Sequence, residues 1–436
     1  MKNILFILLV QYTFQSCIEP KNPHPSLAPG IWRGVLYLNP EPKLSLKDEI
    51  ERYEKEKSRP INDIESDLPF LFEVKYENEK PYIEIINAEE RIKLEDVRVA
   101  RNRSTAEDTV LIDFPIFDSH IRAILKEGIL QGDWTVRSKV NYSIPFTARF
   151  GRNKRFDVLT EVPSVDMTGN WSCIFDADTK SPYPAVGELK QSGNLLSGTF
   201  RTETGDYRYL DGTINGNKFY LSCFDGSNAF LFYGKVTGDS LIGTYKSGKS
   251  TPSLFEGTKN ENATLTNAVM LNKASNSPVS FSFLDHNGIT KSLSHYTKDI
   301  KIIQIMGTWC PNCYDETRFI TSYLDAHPDQ NIDVIALACE RYRDTAKALA
   351  SIKNYKNKMN MPYDILLAST STNKEETSKQ LPFIDTILSY PTMIVLDKNN
   401  TIQFIHTGID GPATSKYNEF VKDFEERITK ILKIKI

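Results

Sequence analysis

The chain has 436 residues, 40% of them hydrophobic and 25% charged, with a formal net charge of −3 at pH 7. At roughly 150 residues per domain, that length predicts two to four domains. The near-neutral balance excludes a strongly basic nucleic-acid surface, and 23 Phe and 20 Tyr within recurring apolar runs exclude a chain too polar to build cores.

In chain order, Lys2 precedes an apolar run from Ile4 to Val10. The run is far shorter than the roughly 20 residues that span a bilayer, and it has the pattern of the apolar stretch of a secretory signal. Phe14-Gln15-Ser16-Cys17 resembles a relaxed bacterial lipoprotein cleavage box, with small Ser16 just before the cysteine and Phe14 in place of the usual Leu. The resemblance implies a signal over 1–17, a lipidated Cys17, and a tether over 18–29 kept extended by Pro20, Pro23, Pro25 and Pro29. An ordinary signal peptide, or a first strand with a chance cysteine, is the plainer alternative. Export puts the chain where disulfides persist, lipid-anchored to a bacterial membrane and facing the periplasm or the cell surface. Of the six cysteines, Cys173, Cys223, Cys310, Cys313 and Cys339 follow Cys17. That number is odd, so at least one thiol stays unpaired within the chain.

Residues 30–162 read as a β-rich module, with strands predicted at 31–38, 70–76, 82–86, 110–114 and 121–125; the charged stretch 43–60 is a loop or short helix. Residues 163–259 carry turn signals at Ser192-Gly193-Asn194, Gly205-Asp206, Asn215-Gly216, Asp225-Gly226 and Gly238-Asp239. Short runs rich in Tyr, Phe, Leu and Thr lie between them, a rhythm that predicts an antiparallel sandwich or barrel. Phe117-Asp118-Ser119 followed by Gly132-Asp133-Trp134 parallels Phe224-Asp225-Gly226 followed by Gly243-Thr244-Tyr245, and Gly-x-Trp recurs at Gly169-Asn170-Trp171. Either the β modules are duplicated or two meanders have converged on one pattern. Cys173 and Cys223 fall in different predicted strands of the second module and either pair or stay free.

Residues 260–278 are polar and read as a linker. From 279 to 436 strands alternate with helical patterns, which predicts an α/β layer fold with a mixed sheet flanked by helices. Its strands are 279–284, the nearly continuous apolar run 300–306, 334–338, 393–396 and 402–406. The final helix presents Tyr417, Phe420, Val421, Phe424, Ile428, Ile431 and Leu432 on one face.

The chemistry-bearing segment is Gly307-Thr308-Trp309-Cys310-Pro311-Asn312-Cys313-Tyr314-Asp315-Glu316. It follows a buried strand and opens a helix. A thiolate is the nucleophile of disulfide exchange, and the unpaired N–H groups of a helix N-terminus are suited to hold one. Two intervening residues coiled into the first turn bring both sulfurs within bonding reach. Pro311 fits a first turn that needs no N–H from it.

Trp-Cys-x-x-Cys after an apolar strand resembles the thioredoxin superfamily, and Glu316 after the pair is similar to its TlpA/ResA-like branch of extracytoplasmic, membrane-anchored thiol–disulfide oxidoreductases. The resemblance covers residues 279–436. With β modules ahead of it on a lipoprotein, the whole looks like the Bacteroidetes-type members. It implies an attacking thiol at Cys310, a resolving thiol at Cys313, an aromatic neighbour at Trp309 and a substrate-positioning cis-proline loop at Tyr390-Pro391, with Pro311 inside the pair. Glu316 is the implied acidic group, and positions 313 and 316 share a helix face, so its carboxyl could relay a proton. Thioredoxin itself has a buried Asp where this chain has Gln304, which leaves Glu316, water or substrate for proton transfer.

The expected function is therefore reduction of protein disulfides, with protein thiols and disulfides as partners, a membrane thiol as electron donor, no nucleic acid, and no cofactor beyond the Cys310/Cys313 dithiol. A metal site is not expected: no second Cys-x-x-Cys or close His pair exists, and His406 is the lone candidate third ligand. Cys339 reads as a small core residue, and His406, Thr407, Gly408 and Gly411-Pro412 as structural. A surface binding protein, with β modules holding a ligand and a non-catalytic thioredoxin-like scaffold, is the alternative.

Overall fold

The structure is a computed structural model that describes residues 27–39, 67–102, 104–105, 107–156, 161–265 and 278–433. The signal and Cys17, the tether up to residue 26, the charged stretch 43–60 and most of the linker lie outside the described residues. Three sheets account for the rest.

The first sheet has nine antiparallel strands: β1 (Gly30–Tyr37), β2 (Asp67–Glu77), β3 (Lys80–Asn87), β4 (Glu90–Leu94), β5 (Val97–Asn102), β6 (Glu107–Phe114), β7 (Ser119–Lys126), β8 (Ile129–Val136) and β9 (Ser143–Phe150). Their order is β4-β3-β2-β1-β9-β8-β7-β6-β5. Strand β1 bridges the second and last strands, and the sheet ends on β4 and β5. Alternation sets the inner face: Ile121, Ala123 and Leu125 of β7 are buried, while the residues between them point outward.

The second sheet comprises β10 (Gly169–Phe175), β11 (Tyr183–Ser192), β12 (Leu195–Thr202), β13 (Gly205–Asp206), β14 (Leu210–Asn215), β15 (Lys218–Phe224), β16 (Ala229–Thr237), β17 (Ser240–Ser247) and β18 (Ser253–Lys259). Its order is β11-β10-β18-β17-β16-β15-β14-β12, and a further β11–β12 ladder closes it into an eight-stranded barrel. The short β13 pairs back on β12 as a hairpin. Between the two expected forms, closure selects the barrel, which removes the exposed edges a sandwich keeps.

The two β sheets share a layout. Each begins with a strand that pairs with both its successor and the last strand. Trp32 and Trp171 sit at matching places in those first strands, both fully buried, with indole N–H groups donating to Ala28 and Met167 carbonyls at 2.9 and 3.0 Å. The parallel between 117–134 and 224–245 follows the same order, since Ala123 faces Gly132 as Gly234 faces Gly243. The Gly-x-Trp comparison needs correction. Gly132-Asp133-Trp134 lies in the next-to-last strand of its sheet, and the counterpart of Gly169-Asn170-Trp171 is Gly30-Ile31-Trp32.

The two sheets interlock. Phe224, at the end of β15, enters the core of the first sheet, with ring centroids 4.5 Å from Phe70, 5.1 Å from Trp134 and 5.4 Å from Phe114. Buried Arg155 spans the joint and donates to Asp211 at 3.1 Å, to the Ser222 hydroxyl at 3.1 Å and to the Pro69 carbonyl at 3.3 Å.

The third sheet is mixed: β19 (Ser282–Asp285), β20 (Thr290–Ser292), β21 (Ile300–Met306), β22 (Ile332–Cys339), β23 (Asp364–Ser369), β24 (Thr392–Leu396) and β25 (Ile402–Thr407), in the order β20-β19-β23-β22-β21-β24-β25. Strands β21, β22 and β23 run parallel, β24 runs antiparallel to β21, and β25 is antiparallel to β24. Helices α1 (Pro311–Ala326), α2 (Thr345–Lys358), α3 (Lys374–Ser378) and α4 (Tyr417–Lys433) accompany it. All seven residues of β21 are buried, as its apolar run requires of a central strand. Phe420 and Phe424 of α4 pack edge-on against Phe319 of α1, each at 5.0 Å. This is a thioredoxin-like arrangement of strand, helix and antiparallel return. Among the described residues no helix is long and apolar enough to cross a membrane.

Candidate functional site

Cys310 is the N-cap of α1 and Pro311 its first residue. The N-cap position leaves first-turn N–H groups free, and one of them, from Cys313, donates to Cys310 Sγ at 3.2 Å. Cys310 Sγ also lies 3.5 Å from the Tyr390 carbonyl oxygen. The Tyr390–Pro391 bond is cis, in the loop that enters β24. The chain thus brings together residues 80 positions apart. Both thiols are free, with Cys310 6% exposed and Cys313 fully buried. Burial pushes the Cys313 thiol well above its ordinary range, and the neighbouring Cys310 adds to the effect.

Trp309 packs edge-on against Tyr390 at 5.5 Å and donates its indole N–H to the Cys339 carbonyl at 2.9 Å. Cys339 itself is a buried core thiol, raised to about 12 by burial. Glu316 is fully buried, and neither of its carboxyl oxygens has a hydrogen-bond partner. Burial holds it well above the usual carboxylate range, and its charge would also oppose that of Cys310. Gln304, in the place of thioredoxin's Asp, is a structural group: its amide donates to the Cys313 carbonyl at 3.3 Å and to Thr317 at 3.1 Å.

Several site residues carry no signal in the sequence. The Arg341 guanidinium lies 4.4 Å from the Trp309 ring centroid. Glu340 accepts from the Thr308 N–H at 3.0 Å and the Thr308 hydroxyl at 2.8 Å, and burial raises it to about 7. Both follow β22, at the same sheet end as the thiols, a placement that becomes visible only once β22 is known to neighbour β21. Cys173 and Cys223 are free and buried in the barrel's core. His406 is half-buried, packs against Phe420 at 5.0 Å, and is pushed down to about 4 by desolvation.

The β modules reach this site directly. Ser227 donates to the Trp309 carbonyl at 2.7 Å, and Phe117 packs edge-on against Tyr314 at 5.9 Å. Buried Arg208 donates to Asp315 and, at 2.9 Å, to Glu90, and lies 3.8 Å from Asp225. One guanidinium therefore ties both β sheets to helix α1. The Asp206 carboxylate accepts the Gly411 N–H at 3.0 Å, and the Ser389 hydroxyl donates to the Thr204 carbonyl at 3.0 Å.

Residues 275–405 match the AhpC/TSA family. No curated protein matches the chain. Among solved structures it is similar to a thiol:disulfide interchange protein of the thioredoxin family from Chlorobium tepidum TLS, at 20% identity over 37% of this chain and 99% of that one, with a TM-score of 0.28. StoA from Bacillus subtilis is similar at 18% identity over 35% of this chain and 98% of that one, TM-score 0.26. The thioredoxin domain of a thiol-disulfide oxidoreductase from Bacteroides vulgatus is similar at 16% identity over 35% of this chain and 98% of that one, TM-score 0.27. With a helix-capping cysteine on a thioredoxin-like sheet, residues 275–405 carry a domain that matches the AhpC/TSA family.

Proposed function

We propose that the protein is an exported thiol–disulfide oxidoreductase, tethered to a membrane through lipid on Cys17, that reduces protein disulfides with Cys310 and Cys313. The observation that supports this most is the Cys310 sulfur at the tip of α1, receiving the Cys313 N–H and facing the carbonyl that precedes Pro391.

Cys310 thiolate attacks one sulfur of the substrate disulfide. A Cys310–substrate S–S bond forms, the substrate's own S–S bond breaks, and the departing sulfur takes the electron pair. Glu316, held neutral by burial, gives that sulfur its proton. Once ionised, Glu316 takes the proton of Cys313, whose thiolate attacks Cys310, breaks the mixed disulfide and releases the second substrate sulfur as a thiolate, which takes from water the proton that Cys310 gave up on ionising. The substrate gains two electrons and two protons, and the enzyme is left with a Cys310–Cys313 disulfide. A membrane dithiol that is itself oxidised restores the pair. Trp309 and Tyr390 wall the groove in which the substrate chain lies, and Pro311 sets the first turn between the thiols.

The test is a Cys313→Ser chain, which removes the resolving thiol and should accumulate mixed disulfides on Cys310, identified by peptide mass under non-reducing conditions. No adduct on Cys310 in the presence of a reducible protein disulfide would sink the reading.

A further inference from the structure

A thiol that attacks disulfides of other proteins must be reachable, yet Cys310 is 6% exposed. Its own partners are the Cys313 N–H and the Tyr390 carbonyl, and the chain's β modules press on the segment and loops around it. The tip of the β12–β13 hairpin lies against the loops that line the groove. Thr204 receives the Ser389 hydroxyl, one residue before Tyr390. Thr204 backbone also abuts Gly408, whose N–H donates to the Pro391 carbonyl at 2.8 Å; any Cβ on Gly408 would collide with Thr204. Gly205, at φ +149°, sits so close to Asn312 that a Cβ there would strike the side-chain amide. Asn312 is inside the Cys-x-x-Cys motif. On the other flank Ser227 binds the Trp309 carbonyl, and Arg208 holds Asp315 from behind.

Four residues of the active-site segment, 309, 312, 314 and 315, therefore touch the β modules, as do both loops that flank the cis-proline. A substrate chain laid beside Cys310 and the Tyr390 carbonyl would need the space that Thr204 and Gly205 fill. We propose that the β12–β13 hairpin is a built-in competitor for the substrate groove. The resting protein is closed on itself, and disulfide exchange requires the β modules to lift from the active-site helix. A closed state of this kind protects the thiols from small oxidants and admits only substrates that compete with the hairpin. The inference rests on Cys310 being the attacking thiol.

The test uses the full chain in its reduced form. Iodoacetamide alkylation of Cys310 is followed by peptide mass in the native protein and in a Ser227→Ala/Asp206→Ala variant, which loses the Ser227–Trp309 and Gly411–Asp206 hydrogen bonds. Each bond contributes modestly, so together their loss should speed alkylation about tenfold if reaction proceeds through an opened state. Equal rates in the two proteins, or a native rate already equal to that of the urea-unfolded chain, would overturn the closure. A second measurement covers a variant that fails to fold. Hydrogen exchange is compared in the Cys313→Ser chain with and without glutathione attached to Cys310. Faster exchange at 202–208 and 225–228 in the adduct supports displacement of the hairpin, and unchanged protection contradicts it. Opening without trapped substrate would sink the exchange reading alone; trapping without opening would sink the closure alone.

Discussion

Two buried groups, Cys313 and Glu316, sit one helical turn apart, and burial favours the neutral form of each. For Glu316 the consequence for stability has a definite sign. Its folded value lies above that of the unfolded chain, about 4.3 for an ordinary Glu. The favourable neutral form is fully present below that pH, and the stability it contributes is lost as pH rises through the folded value. Glu316→Gln cannot ionise and escapes this loss. The variant should therefore match the native protein in thermal unfolding at pH 4 and exceed it at pH 8, while disulfide reduction slows on the order of 100-fold for want of a proton carrier. A variant less stable at pH 8 than the native chain would mean that Glu316 is ionised and paired in the fold. The role expected of Glu316 rested on helical spacing from Cys313. Its lack of any hydrogen-bond partner could not be read from spacing, because burial comes from strands and helices distant in the chain.

Single elements place the rest of the chemistry. Strand β21 could be located to the residue because a central parallel strand is apolar on both faces and needs no alternation. Its neighbour β23 (Asp364–Ser369) escaped the sequence reading, though the run 365–368 is equally buried. Four apolar residues in a row fit a helix segment as well as a strand. In the first β module, β4 and β5 are short and half-exposed and carry weak patterns, while β8 and β9 contain Gly132 and Pro145, residues that interrupt a strand pattern. The β15–β16 turn has a role no pattern announced: it carries Phe224 into the first sheet's core. Truncating that ring leaves a cavity lined by Phe70, Phe114 and Trp134. Phe224→Ala should lower the unfolding free energy by about 3–5 kcal/mol in urea denaturation. A cost below about 1 kcal/mol would show that the two sheets do not depend on this joint.

Across the whole molecule, Arg208 is the group that ties both β sheets to helix α1. Its guanidinium is 3% exposed and faces Glu90, Asp225 and Asp315. Burial raises Asp225 to about 6 even with this cation beside it. Removing the cation leaves buried carboxylates without compensation, so Arg208→Met should cost about 3–5 kcal/mol near pH 8. The deficit should shrink near pH 5, where Asp225, raised to about 6 by burial, takes up a proton and no longer needs a partner. Urea denaturation at the two pH values measures both, and a pH-independent deficit would assign the loss to packing alone. The same variant should expose Cys310, because Asp315 on the active-site helix loses its tie to the β modules.

The sequence by itself determined the local chemistry: a cysteine pair opening a helix after an apolar strand, an acidic residue one turn on, and a turn rhythm that only antiparallel β structure satisfies. Those features depend on neighbours in the chain, and period and spacing report them directly. Only the tertiary structure decided that the second β module closes into a barrel, that Trp32 is the counterpart of Trp171, and that Thr204, Gly205, Ser227 and Arg208 meet the residues around the cysteine pair. Each of these joins residues far apart in the chain, through backbone ladders, a hydroxyl, or one guanidinium. Such contacts are selected by shape and charge at the meeting surfaces, and they leave no periodic trace along the sequence.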